Sequence, residues 1–158
     1  MGTKNLTFTA VYDEHLITDE QEMTATGPYR LADGYLRVIP VGTSAKRILA
    51  TLVPRDCITI HSGDTEVTGT VATGMTVDFA PGGALKQSAV IVVTGDVNGD
   101  GKITLTDMVR IRAHLLGRTT LKGAYLEAAD LDGNGEVTLA DFVQCLSSVL
   151  GRSTVKPN

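Results

Sequence analysis

The 158-residue sequence has no tryptophan, four tyrosines and three phenylalanines. A sugar-binding surface built on aromatic platforms has little to draw on, so Phe8, Tyr12, Tyr29, Tyr35 and Phe79 are expected in core or edge packing. Two cysteines, Cys57 and Cys145, allow at most one bridge, which excludes a disulfide-dense scaffold and makes both read as small buried hydrophobes. The longest strictly apolar run, residues 89–93, is far short of the ~20 residues that span a bilayer. His15, His61 and His114 are scattered, and HExxH, GxSxG, P-loop and dinucleotide-glycine patterns are missing. No group of side chains meets the first requirements of a catalytic site, so the chain is expected not to be an enzyme. The opening MGTKNLTFTA lacks the apolar stretch of a signal peptide, which leaves a cytosolic protein or a piece of a longer exported one. The features below favour the second.

What the sequence does contain is ordinary in amount and uneven in placement. Hydrophobic residues make up 42% and charged residues 20%, as expected for one or two small soluble domains. The net charge is −4, which argues against nucleic acid as the main partner. Seven of the eighteen acidic residues fall in two short segments, 96–107 and 130–141.

The hydrophobic period changes at Thr94-Gly95. Before it, residues 35–39 and 57–61 read as strands, with Ile58 and Ile60 on one face. Val67, Gly69 and Val71 alternate, as do Met75, Val77 and Phe79, and the run 89–93 suits a central strand covered on both faces. Thr43 or Ser44 can cap one helix with the stripe Ile48, Leu49 and Leu52, ended by Pro54. Residues 6–12 alternate like an added strand, and 13–27 read as a polar loop.

After Gly95 the sequence repeats itself: DVNGDGKITLTDMVRIRAHLLG at 96–117 and DLDGNGEVTLADFVQCLSSVLG at 130–151 align without a gap. Neither copy can bury its apolar face alone. Oxygen-bearing side chains stand at loop positions 1, 3, 5, 9 and 12: Asp96, Asn98, Asp100, Thr104 and Asp107, then Asp130, Asp132, Asn134, Thr138 and Asp141. Position 7, Lys102 or Glu136, offers its backbone carbonyl, and position 6, Gly101 or Gly135, is where the chain turns sharply. Hard oxygen donors at this spacing suit Ca²⁺, one ion per loop, and nothing favours zinc. The departure from the EF-hand loop is Asp in place of Glu at position 12, so the loop has to tighten for the shorter side chain to reach. Thr106 and Ala140 are expected to open the following helices, with Gly117 and Gly151 as their left-handed C′ residues. Met108, Ile111 and Leu115, with Leu116 adjacent, and Phe142, Cys145 and Val149, with Leu146 and Leu150 beside them, are expected to pack on each other.

An EF-hand needs a helix entering each loop, but Asp96 follows the strand-like AVIVVT directly, and only a short helical piece, 123–129, precedes the second loop. With this arrangement residues 95–152 resemble a dockerin, the calcium-dependent module that docks proteins onto cohesins in cellulosome-type assemblies. Residues 35–94 are similar to the small β-rich X modules that precede some dockerins. The resemblance implies an α+β protein, in which a β-rich module with one helix (1–94) is followed by an all-α dockerin of two calcium-loop–helix repeats (95–152) and a polar tail (153–158). It implies two Ca²⁺ and a cohesin of a scaffold or cell-surface protein as partner. It also implies an extracellular or cell-surface location, as part of a larger exported protein, with no nucleic acid, no membrane insertion and a monomer when unbound. The recognition positions of that family fall here on Leu105, Thr106, Arg110, Arg112, Ala113 and His114, and on Leu139, Ala140, Gln144, Leu146, Ser147 and Ser148. The two sets differ, the first being basic, so one dominant binding mode is expected. An EF-hand-like calcium sensor or buffer is the alternative reading.

Overall fold

The computed structural model describes residues 22–155. The expected strand at 6–12 and most of the expected loop at 13–27 lie outside them. Among the described residues there are eight strands in two sheets and four α-helices. The strands are β1 (Thr24–Ala25), β2 (Arg30–Ala32), β3 (Tyr35–Ile39), β4 (Leu52–Val53), β5 (Ile58–Ser62), β6 (Thr65–Glu66), β7 (Thr76–Phe79) and β8 (Gln87–Val93). The helices are α1 (Ala45–Leu49), α2 (Leu105–Leu115), α3 (Ala124–Ala129) and α4 (Leu139–Val149). None of them is long and apolar enough to cross a membrane.

The main sheet runs β2-β3-β8-β7-β5-β6, and β1 pairs with β4 apart from it. The apolar strand β8 sits inside the sheet, parallel to β3 and antiparallel to β7. Its Ala89, Ile91 and Val93 face a core with Leu36, Ile39, Ile60, Val77, Phe79 and α1's Ile48. Val90 and Val92 point the other way, and there Ala124 and Ala128 of α3 cover them together with Tyr35.

That cover overturns the expected fold class. An α+β protein in which a β-rich part is followed by an all-α one does not describe the chain; the architecture is mixed, with a helix of the later part packed on the sheet. The physical reason is β8, which is apolar on both faces, so its second face must be buried by something. The short helix between the repeats does it. Further ties hold α3 there: the Arg37 guanidinium meets Glu127 at 2.7 Å and lies over the Tyr35 ring at 4.9 Å, and Gly95 N–H donates to the Ala128 carbonyl at 2.8 Å. The expectation holds in that the three later helices follow the strand-rich part.

Smaller differences have local causes. Residues 67–72 are not a strand: Gly69 and Thr43 carbonyls accept from Ala45 and Val71 N–H, so this backbone spends its hydrogen bonds on the entry to α1. Ser44 caps α1 by accepting from Arg47 N–H, but the helix ends at Leu49, and Leu52 is buried from β4 instead. In β3 both Leu36 and Ile39 are buried, three apart, because a register shift between them, with Val38 at φ 67°, breaks the alternation.

The second core shows the repeat in three dimensions. Val97 and Leu131, Ile111 and Cys145, Ile103 and Val137, and Met108 and Phe142 are matched positions of the two copies, and all belong to one cluster, joined by Val149 and Val155. Each copy thus supplies half of a core that it cannot form alone. Val155 lies within the segment expected to be a free polar tail.

Candidate functional site

Each repeat loop is closed by the aspartates at its two ends. Asp96 Oδ1 accepts from Gly99 and Asp100 N–H at 2.8 and 3.0 Å, while Oδ2 accepts from Gly101 at 3.0 Å and from Thr73 at 2.9 Å. Asp130 repeats the local part, accepting from Gly133, Asn134 and Gly135 at 2.8, 3.2 and 2.7 Å. Gly101 and Gly135 have φ of 76° and 92°, the left-handed turn expected at position 6.

Position 12 answers the question raised by its short side chain. Asp107 Oδ1 accepts from Val97 and Asn98 N–H at 2.9 and 3.0 Å, and Oδ2 from the Thr104 N–H at 2.8 Å. Asp141 does the same with Leu131, Asp132 and Thr138. One aspartate therefore ties the loop entrance to the helix start. The helices begin at Leu105 and Leu139, one residue before the expected openers. Thr104 and Thr138 are their N-caps in full capping boxes, with hydroxyls that donate to Asp107 and Asp141. Gly117 and Gly151 follow the C-caps with φ of 65° and 66°, as expected.

The charges inside these loops ask for a cation. Asp96, Asp107 and Asp141 are fully buried. Burial pushes the Asp96 carboxyl above its ordinary range against the four backbone donors that lower it, and burial does the same to Asp130, with Asp141 nearby adding to it. In the second loop Asp130, Asp132 and Asp141 bring carboxylate oxygens within 4.8 Å of one another. In the first, the Asn98 amide donates to Asp100 at 2.8 Å, and Lys102 N–H donates to the other Asp100 oxygen at 2.9 Å. Carboxylate and amide oxygens alone make up both sets, so the residues fit a hard cation such as Ca²⁺.

The helix faces carry the other expected residues. Leu105, Thr106, Arg110 and Arg112 are exposed on α2, with Ala113 half-buried; His114 is also half-buried, and its Nδ1 accepts from Leu121 N–H at 3.3 Å. Leu139 and Ala140 are exposed on α4, whereas Gln144, Leu146, Ser147 and Ser148 are half-buried, and Ser147 Oγ donates to the Val143 carbonyl. Leu105, Val109 and Leu116 are 60, 56 and 54% exposed, and their repeat partners Leu139, Val143 and Leu150 are 67, 50 and 55% exposed. Of these, sequence reasoning names Leu105 and Leu139 but misses Val109 and Val143 and expects Leu116 and Leu150 in core packing. The repeat spacing was the signal that could have found them, because apolar residues kept in both copies outnumber those one narrow stripe can bury.

Both cysteines are free, Cys57 half-buried beside the first core and Cys145 fully buried in the second. Burial, with the Asp107 charge adding, pushes the Cys145 thiol up to about 11. At pH 8 only about one in a thousand such thiols is ionised. A thiol-reactive dye is therefore expected to label Cys57 and spare Cys145 in the folded protein, and to label both in guanidinium. Rapid labelling of Cys145 in the folded state would contradict the packing of the second core.

A model of the dockerin type I domain matches residues 94–145. Among solved structures the chain is similar to the third cohesin ScaC in complex with the ScaB dockerin from Acetivibrio cellulolyticus, a complex with a mutation in the N-terminal helix (IN to SI) and displaying a type I interaction. The identity is 35%, the match covers 42% of this chain and 93% of that one, and the TM-score is 0.39. No curated protein matches the chain.

Proposed function

The chain belongs, through residues 94–145, to the dockerin type I family, and from this we propose that it is a non-catalytic adaptor that binds a cohesin. In doing so it would attach a larger exported protein to a cellulosome-type assembly for polysaccharide degradation, outside the cell or at its surface. The observation that carries the reading is the pair of aspartate-closed loops, each leading into a helix with an exposed apolar face.

Dockerin type I domains generally bind calcium, and the oxygen-only donor sets here fit two ions. Asp96, Asn98, Asp100 and Asp107 with the Lys102 carbonyl would hold one. Asp130, Asp132, Asn134 and Asp141 with the Glu136 carbonyl would hold the other. Thr104 and Thr138 stand at position 9, where their hydroxyls cap α2 and α4 beside the position-12 carboxylates. The ions supply the positive charge that the clustered carboxylates lack. The chain's own part is to hold each loop so that its helix leaves at a fixed angle, placing residues 95–152 as the docking module and residues before it as support.

The cohesin-facing surface comprises the α2 and α4 positions named from the sequence, together with the exposed Val109, Leu116, Val143 and Leu150. Apolar residues repeat between the copies and charges do not: Arg110 and Arg112 correspond to Gln144 and Leu146. We assign the apolar residues to affinity and the arginines to steering one dominant orientation.

Calorimetry with purified cohesins tests the reading. A one-to-one complex is expected with calcium and none in EDTA, and failure to bind any cohesin with calcium present would end the adaptor proposal. With a binding cohesin in hand, Arg110→Glu/Arg112→Glu is expected to slow association about tenfold at low salt and to reduce its salt sensitivity. An unchanged rate would make the two arginines an ordinary solvated face.

A further inference from the structure

The two loops share a sequence pattern but not their surroundings. Asp96 accepts four backbone N–H groups, and the fourth comes from Thr73, outside the repeat. Asp130 accepts three, all from its own loop. Thr73 is itself buried and held twice to the end of β8: its hydroxyl donates to the Val93 carbonyl at 3.2 Å and accepts from Val93 N–H at 3.0 Å. Gly74 N–H adds a bond to the Ile91 carbonyl.

The backbones also touch. A Cβ at Gly99 would stand 2.9 Å from the Thr73 carbonyl oxygen, and one at Gly101 would stand 3.2 Å from the Val71 carbonyl oxygen. At Gly135, the equivalent of Gly101, a Cβ would meet nothing within 4 Å. Tyr125 of α3 closes the remaining side, its ring 3.3 Å from a Cβ at Gly99. The first loop is therefore pressed against the turn at residues 71–74, whereas Gly135 of the second has open space beside it.

We propose that the turn at residues 71–74 is a positioning element for the first loop and makes the two calcium sites unequal, the first filling first and emptying last. This rests on the calcium reading above. A loop already held in its closed form loses less freedom when it binds, and an extra N–H orients the Asp96 carboxylate toward the same end. The second loop, closed only by its own aspartates, lacks this outside support and has more freedom to lose when it binds. Its occupancy, and with it the exit of α4, follows ambient calcium when the first site is already full.

The test is a titration of the full chain with calcium chloride, read from the amide resonances of Gly101 and Gly135, which report one loop each. Gly101 is expected to complete its change within the first equivalent and Gly135 within the second, with affinities about tenfold or more apart, the scale of one hydrogen bond to a charged group. Thr73→Pro removes the donor and is expected to close most of that gap by weakening the Gly101 site, leaving the Gly135 site unchanged. Thr73→Val keeps the donor but frees it from Val93, and is expected to narrow the gap severalfold even if the proline variant does not fold. Loops that fill together, a Gly135 site that fills first, or a gap that both variants leave intact would overturn the proposal. Resonances that stay unmoved at both loops would overturn the calcium reading itself, and this inference with it.

Discussion

In EDTA the chain is expected to lose most of its signal at 222 nm while the sheet persists, and to lose cohesin binding completely. The helical signal is specific because α1 has five residues, whereas α2 and α4 have eleven each and α3 six. Opposing the loops without a cation is charge. The three carboxylates of the second loop lie within 4.8 Å of one another, and each like-charged pair costs roughly 1–3 kcal/mol after screening. In the first loop Asp96 is fully buried, where ionisation is dearer still. The backbone donors offset part of this, as the Asp96 network shows, but the net carboxyl shifts at Asp96 and Asp130 remain upward. A cation removes the repulsion and adds binding free energy to folding. The core between the sheet and α1 contains no carboxylate and so has no such direct dependence. Circular dichroism and calorimetry with and without chelator would check both halves. Unchanged helix content together with cohesin binding in EDTA would show that the hydrogen-bonded loops suffice alone.

Asp107→Ala and Asp141→Ala are expected to be the most damaging single substitutions in the second half. Each removes an acceptor for three backbone N–H groups and one threonine hydroxyl, at a fully buried position. Leaving buried donors unsatisfied costs about 1–3 kcal/mol each where water cannot reach them. A loss of about 3–5 kcal/mol follows, against a total stability of about 5–15 kcal/mol for a domain. That corresponds to a fall in Tm of roughly 8–15 °C. Because the two repeats share one core, damage to either loop is expected to loosen both helices, with Cys145 becoming reactive in each variant. The Asn variants keep one acceptor oxygen and are expected to fall between Ala and the natural residue. Thermal unfolding followed in EDTA separates the hydrogen-bond loss from the loss of a calcium ligand, which appears only with calcium. A Tm within a degree or two of the natural chain in both conditions would mean that the position-12 carboxylate does not hold the loop.

The repeat was fully legible in the sequence, and with it the loops, the left-handed glycines that end the helices and part of the matched core of the second half. That is because each of these rests on local rules: oxygen-bearing side chains at fixed loop positions, a glycine at positive φ, an apolar stripe at helical spacing; the capping boxes of Thr104 and Thr138 were equally local but went unread. The strands at 35–39, 57–61 and 89–93 were legible for the same reason, since alternation or a continuous apolar run needs no partner to be seen. What the sequence could not decide was who lies against whom. The bulge at Val38, the irregular path of residues 67–72 and the packing of α3 on β8 all depend on groups distant in the chain. So does the Thr73 amide on Asp96, which makes one of two like loops different from the other. Periodicity reports that a face must be buried, and only the assembled structure says which surface buries it; here the strand that ends the first half is covered by a helix of the second.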